Sequence, residues 1–268
     1  MMTRPVTTDL SWLKKRIANA LWSVRACLLP GVVAFAIAMP TGNAQAKTAG
    51  VQKSPSVVEL FTSQGCSSCP PADRAMAALA ARDDLVALSY NVDYWDYLGW
   101  RDTLAKPEFS QRQRRYARVR GDGQVYTPQM VVNGQRHIVG GDRPALTRTL
   151  RATRSALTSD LQIQAQKRNK VARITLSGVP GWSGRATVWV VGVTPKVTTK
   201  IKRGENRGRK ITYHNVVRSM MPIGTWTGDA MTLQIDPAMI MKTGATACAI
   251  LVQDGDGGPI IAAAWLER

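Results

Sequence analysis

The sequence predicts an α/β domain followed by an antiparallel β-sandwich domain, the two preceded by an export signal. Three observations carry this reading. Between Ser56 and Thr158, short apolar runs alternate with stretches whose apolar residues recur at helical spacing, the pattern of strands feeding helices. From Leu161 onward the texture changes to seven short β-type runs separated by Gly and Asp turns. The first 46 residues order a basic stretch, an apolar run and a small-residue site, which is the layout of a secretory signal. With 268 residues, 44% apolar and 20% charged, the composition is that of a folded protein and excludes disorder or a fibrous repeat as its main character.

In the signal, Arg4, Lys14, Lys15, Arg16 and Arg25 stand against the single acid Asp9, and an apolar run from Ala26 to Met39 follows. That run has 14 residues, is interrupted by Pro30 and Gly31, and falls short of the roughly 18 to 20 apolar residues of a membrane-spanning helix. No stable membrane span is therefore expected. Ala44-Gln45-Ala46 is a small-x-small site, which places cleavage before Lys47 and leaves a mature chain of 222 residues in the periplasm or outside a Gram-negative cell. Removing five basic residues and one acid leaves 31 against 17, a net charge of +14, so most of the +18 belongs to the exported protein.

The first domain, expected over 47–158, opens on the apolar run Val57-Val58-Glu59-Leu60-Phe61, read as a strand. A Gly-containing turn leads to a helix with Ala72, Met76, Leu79 and Ala80 on its apolar side, and Leu85 to Val92 reads as a second strand, parallel to the first. After the aromatic segment Asp93 to Trp100, Pro107 opens a basic helix that runs to about Arg120 and ends at Gly121 and Gly123. A strand Gln129 to Val132, the pair Asn133-Gly134 and a strand through Ile138 and Val139 form a hairpin, because Asn-Gly suits a two-residue turn. Pro144 then starts a helix carrying Leu146, Leu150 and Leu157.

The second domain, expected over 159–268, consists of Leu161 to Ala165, Val171 to Leu176, Ala186 to Val193, Ile211 to Arg218, Met231 to Ile235, Ala247 to Val252 and Ile260 to Trp265. It is expected to select or position a partner. Two histidines in the whole chain exclude a multi-His metal centre, and no metal or cofactor is predicted.

The chemistry sits at Cys66-Ser67-Ser68-Cys69-Pro70-Pro71, a C-x-x-C between a strand and a helix. At a helix start, unpaired backbone N–H groups and the positive end of the dipole stabilise a thiolate, the form that attacks. The spacing brings the second sulfur within disulfide reach, so a mixed disulfide formed at the first can be resolved by the second. Two consecutive prolines fit only where missing N–H groups cost little, which pins Cys69 to Pro71 to the first helical turn. Cys66 is assigned as the exposed nucleophile and Cys69 as the buried resolver.

Strand, C-x-x-C, helix, strand, helix, then Thr127-Pro128 leading into a hairpin and a final helix, resembles the thioredoxin-like superfamily over about residues 55–158. The resemblance implies that Pro128 follows a cis bond and packs against the redox pair, with Thr127-Pro128 shaping the substrate groove. The segment Glu59 to Asp73, the Asp93 to Trp100 run, Tyr126-Thr127-Pro128-Gln129 and Gly204-Glu205-Asn206-Arg207-Gly208 together are similar to a narrower family of exported bacterial proteins, described as a domain of unknown function. The narrower resemblance implies a fold and a location, while the cysteine pair and the thioredoxin-like resemblance imply thiol–disulfide exchange with protein or small-molecule thiols and disulfides, without a dissociable cofactor. No Trp precedes Cys66 and the x-x pair is Ser-Ser, at the dipeptide that tunes reduction potential, which leaves the direction of exchange open. Glu59 lies seven residues before Cys66 where the assisting acid of thioredoxins lies six before, which makes it a candidate for that role.

Several residues carry two readings each. The cysteine pair is a redox centre or, in an oxidising compartment, a permanent structural disulfide in a noncatalytic interaction module. Two thiolates also suit Cu(I), so a copper chaperone is a further alternative, with His137, the one histidine in the first domain, as a ligand or as a surface residue of its hairpin. Glu59 is a proton acceptor for Cys69 or a solvated side chain at a sheet edge. The Asp93 to Trp100 run is a rim of the redox site or a plug between domains. The loop from Lys200 to Lys210 reaches the redox face or is a solvated hairpin tip, and Cys248 is a buried free cysteine. The five arginines among residues 112–120 read as a solvated face. With Tyr116 the one aromatic among them, and with export, nucleic acid is not expected as a partner.

Overall fold

The strand β1 (Ser56–Thr62) is buried along its whole length and divides the first half of the protein into two layers. Its side chains alternate between faces. Val58 and Leu60 pack against Ala72, Met76 and Leu79 of α1 (Pro70–Ala80), whereas Val57 and Phe61 pack against Phe109 and Tyr116 of α2 (Pro107–Arg120). β2 (Leu85–Asn91) lies parallel to β1 in the register Ser56–Leu85, and β3 (Gln129–Val132) lies antiparallel on its other side. The computed structural model describes residues 54–157 and 160–266, so the expected signal over 1–46 and the expected domain boundary at 158 lie outside the described residues.

Local rules account for these elements. Pro107 starts α2 and Gly121, at φ 75°, ends it, as a left-handed C-terminal residue should. Asn133 and Gly134 take φ 49° and 67°, the two positive values that a tight turn between β3 and β4 (Arg136–Val139) requires. The turn is also tied down. The Asn133 side chain accepts from the Val57 N–H at 2.7 Å and donates to Thr153 at 3.0 Å, at the end of α3 (Arg143–Thr153). Phe61 stacks on Tyr90 at 5.4 Å and Tyr90 meets Phe109 edge-on at 5.3 Å, each contact adding about 0.5–1.5 kcal/mol beyond the area it buries.

All seven runs expected after Leu161 are strands: β5 (Ile163–Arg168), β6 (Val171–Leu176), β7 (Ala186–Lys200), β8 (Lys210–Trp226), β9 (Met231–Ile235), β10 (Ala247–Asp254) and β11 (Ile260–Leu266). A short helix, α4 (Pro237–Met241), precedes β10, with Asp236 capping it. β7 and β8 run well past their expected ends at Val193 and Arg218, into a long hairpin. Pro195 and Pro222 hide this from the sequence, because a proline inside a run removes a ladder donor and reads as a strand end. Pro222 pairs with Trp189 at the register shift between Val188 and Trp189, and Pro195 falls where the ladder skips from Thr194–Val216 to Lys196–His214.

The strands assemble differently from a sheet pair confined to the second half. One eight-stranded, mostly antiparallel sheet has the order β11-β10-β7-β8-β2-β1-β3-β4, and β5-β6-β9 form a second, small sheet. The large sheet thus continues across the expected boundary, joined where β8 meets β2 in parallel at Ser89 and Val216. The junction is held by side chains, since Ser89 donates to the His214 carbonyl at 2.8 Å and Asn215, at φ 48°, donates to the Ala87 carbonyl at 2.9 Å. The small sheet covers the far half of the large one, with Ile174 and Leu176 of β6 clustered with Val188, Ile250 and Ala262. All described residues belong to one compact unit.

Candidate functional site

Cys66 and Cys69 are joined in a disulfide with their Cα atoms 5.4 Å apart. The motif turns tightly, with the Cys66 N–H donating to Ser63 and the Cys69 N–H to Cys66, and Cys69 then caps α1 with Pro70 and Pro71 as its first residues. This matches the helix start expected from the two prolines. The exposure of Cys66 does not match. Cys66 is 2% exposed and Cys69 0%, while the intervening Ser67 and Ser68 face solvent. Three other segments gather at and beside the turn that carries Cys66.

The first is the aromatic segment, which is placed at the rim of the pair. Gly65 packs so closely on Trp95 that a side chain there would meet the Trp95 Cβ at 3.1 Å. The Trp95 indole donates to the Thr127 hydroxyl at 2.8 Å, and the Trp100 indole donates to Gln64 Oε1 at 2.8 Å. The second is Thr127-Pro128, joined by a cis bond. Gly140 closes over it, donating to the Pro128 carbonyl at 2.8 Å, and a Cβ at Gly140 would meet both Pro128 and Ala72 of α1 at 2.8 Å. Pro128 therefore stands beside the first turn of α1.

The third is the loop between β7 and β8, which reaches the turn carrying the disulfide instead of ending as a solvated tip. The Asn206 amide donates to the Gln64 carbonyl at 3.0 Å and to the Cys66 carbonyl at 2.8 Å, and Glu205 accepts from the Ser67 N–H at 3.3 Å. An apolar cluster of Leu104, Ile201, Ile211 and Tyr213 underneath fixes the loop. Asn206→Ala leaves both carbonyls without their donor, so we expect a loss of about 1–3 kcal/mol and faster reduction of the disulfide by dithiothreitol. Unchanged reduction kinetics would show that the loop does not restrict access.

Buried acids lie beneath the pair. Asp102 accepts from the Gln64 N–H at 2.8 Å, from Asn91 at 2.9 Å and from the Leu104 N–H at 2.8 Å; burial raises its pKa, and these donors oppose the rise. Asp73 follows Cys69 by one helical turn, which puts the two side chains on one face of α1. Burial pushes the Asp73 carboxyl up to about 8, against the lowering effect of the 2.7 Å bond from the Thr62 hydroxyl. Among the described residues its Oδ2 has no hydrogen-bond partner, nor does the hydroxyl of Tyr213, whose pKa is raised by burial and then by Asp73 and Asp102. Asp73 was not singled out from the sequence. Its helical spacing from Cys69, between the buried Ala72 and Met76, was the available signal.

Glu59 is not brought to the pair. It points to the α2 face of β1, where Arg112 donates to both of its carboxylate oxygens, at 2.8 and 3.2 Å, and Tyr116 donates a short hydrogen bond. With 0% exposure it is no solvated edge residue either. Arg112, 3% exposed, likewise departs from the solvated face expected for 112–120. Burial lowers its pKa, but Glu59, Tyr116 and Tyr90 together outweigh that and hold it above the ordinary value. Both ring nitrogens of His137 are engaged, Nδ1 with Tyr126 at 2.9 Å and Nε2 with Asp122 at 3.1 Å, so it is not presented to the cysteines. Among the described residues no cluster of three or more His, Cys, Asp and Glu side chains is gathered for a metal. Cys248 is buried and free, with its thiol pKa raised by burial. Among the described residues no helix is long and apolar enough to cross a membrane.

Comparison with known proteins places this architecture. Residues 57–253 match the family described as "Protein of unknown function (DUF1223)". A crystal structure of an Agrobacterium tumefaciens protein is similar at 36% identity and a TM-score of 0.71, covering 80% of this chain and 95% of that one. HBP35 of Porphyromonas gingivalis shares the fold at 14% identity and a TM-score of 0.58, covering 80% of this chain and 74% of that one. No curated protein matches.

Proposed function

The chain belongs to the DUF1223 family, and we propose that it is an exported thiol–disulfide oxidoreductase, built on a thioredoxin-like half whose sheet continues into the strands of the second half. The observation that carries this reading is the Cys66–Cys69 disulfide at the start of α1, with cis-Pro128 beside the same helical turn. A substrate thiolate attacks Cys66 Sγ and the Cys69 thiolate leaves. The second substrate thiolate then breaks the mixed disulfide and releases Cys66, so that a substrate dithiol becomes a disulfide while the pair becomes a dithiol. The reverse sequence reduces a substrate disulfide. Asp73, protonated below about pH 8, supplies the proton that the departing Cys69 thiolate takes up, and receives it back when the disulfide reforms. Periplasmic or secreted placement rests on the signal pattern of residues 1–46.

One observation favours a second reading, a fixed structural disulfide in an interaction module: Cys66 is almost wholly covered. Equilibration of the mature protein against glutathione, read by mass after alkylation, separates the two. The oxidoreductase is expected at a reduction potential between about −120 and −270 mV, and a value below about −300 mV would mark the disulfide as structural.

A further inference from the structure

A groove runs between α1 and the start of β8. Beside the cysteines it is an open cleft of about 830 Å³, with Ser67, Pro70 and Arg74 on one wall and Arg209 and Lys210 on the other. At Ala77 and His214 it continues into a second cleft of about 470 Å³, lined by apolar groups that include Ala80, Pro195 and Trp265. The two clefts follow α1, whose 11 residues span about 16 Å, the reach of roughly five residues of extended peptide.

The groove is one-sided in charge. Arg74, Arg209 and Lys210 are exposed and none of them is in a salt bridge among the described residues. No carboxylate lines either cleft. His214 is held below its ordinary pKa by burial and by Lys196, so it adds little positive charge at neutral pH. Three cations without a salt bridge among the described residues outnumber Glu205, the carboxylate that meets Ser67 at the mouth of the groove, and so attract an anionic partner and orient it beside the disulfide.

We propose that this groove binds an extended acidic polypeptide segment flanking the substrate cysteine, with its carboxylates over Arg74, Arg209 and Lys210 and its apolar residues in the second cleft. The proposal rests on the oxidoreductase reading for the chemistry, but the groove itself can be tested without it. A polypeptide is favoured over a small anionic thiol because the groove extends well past the cationic end and turns apolar there. In the reaction, two thiols of the bound segment become its disulfide and the Cys66–Cys69 disulfide becomes two thiols, with two electrons and two protons passing from segment to protein.

The test uses the mature protein and short dithiol peptides that share one core and are flanked by Asp/Glu or by Ser. The acidic peptide is expected to reduce the pair about tenfold faster at low salt, an advantage that shrinks as salt screens it. The triple change Arg74→Ser, Arg209→Ser and Lys210→Ser should abolish the advantage. The equal-charge control Arg143→Ser, Arg148→Ser and Arg151→Ser on α3 should keep it. Equal, measurable rates for the two peptides, or equal losses in the two triple variants, overturn the groove. Reduced glutathione matching the acidic peptide makes the occupant a small thiol and overturns the polypeptide. A cysteine-free acidic peptide, followed by fluorescence anisotropy, separates the two levels. If it binds and the groove triple loses it while no peptide reduces the pair, the oxidoreductase reading falls and the groove stands; if it does not bind, the groove falls.

Discussion

Glu59→Gln is expected to destabilise the protein by about 3–5 kcal/mol, the range for removing one partner of a buried ion pair. The cost arises from what is left behind. Arg112 is 3% exposed and its charge is neutralised on the α2 face of β1 by Glu59 alone, with Tyr116 and Gln253 as further hydrogen-bond partners. A neutral amide at position 59 keeps the shape but leaves the guanidinium desolvated and uncompensated. The double replacement Glu59→Met with Arg112→Met removes both charges and should cost far less than the sum of the single changes, because no lone charge remains buried. Its residual cost is that of Tyr116 and Gln253 losing partners. Urea unfolding of the singles and the double measures this coupling. The same variants bear on the chemistry: because Glu59 faces away from α1, folded Glu59→Gln protein should exchange thiols at the wild-type rate. A lower rate per folded molecule would return Glu59 to the site.

The contrast between Glu59 and Asp73 shows what was legible in the sequence. Period-two and helical spacing, paired prolines and an Asn-Gly turn are local signals, and they located β1, α1, β2, α2, the β3–β4 hairpin and each strand of the second half. Partnership between distant segments leaves no such trace. A parallel junction of β8 with β2 rests on one register pair, Ser89 with Val216, and on Asn215 in a left-handed conformation, so nothing near residue 215 announces that the sheet continues. Spacing from Cys66 drew attention to Glu59, yet β1 alternates, and position 59 falls on the face opposite Leu60 and α1. Asp73, on the helix itself, was one turn from Cys69 all along. Asn206 and the rim tryptophans lay in runs whose alternatives the sequence left open, because a loop reaching a motif about 140 residues away is a tertiary event.

Asp73→Asn is expected to stabilise the protein and slow it. The folded-state pKa is raised from 3.8 to about 8, so the sign of the linkage follows directly. A carboxyl that is neutral in the fold contributes stability fully below about pH 4, where the unfolded chain is protonated too. That stability is lost at up to about 1.4 kcal/mol per pH unit as the pH rises toward 8, because unfolding then releases the proton. Asparagine has no such dependence, so the variant should match wild type near pH 4 and exceed it by several kcal/mol at pH 8, read as unfolding free energy across that window. Its amide fits a site where Thr62 holds one oxygen and the other has no partner. The cost falls on exchange. Without an acid one turn from Cys69, reduction of the pair by a dithiol should slow by roughly a hundredfold, the low end for positioned proton transfer. The wild-type fall in rate as the pH passes through 8 should also disappear. A variant that is more stable at pH 8 but keeps both the wild-type rate and its pH profile would leave Asp73 as a buried acid with no part in the chemistry. Loss of stability at pH 8 would mean that the carboxylate is held charged in the fold, and would overturn the linkage itself.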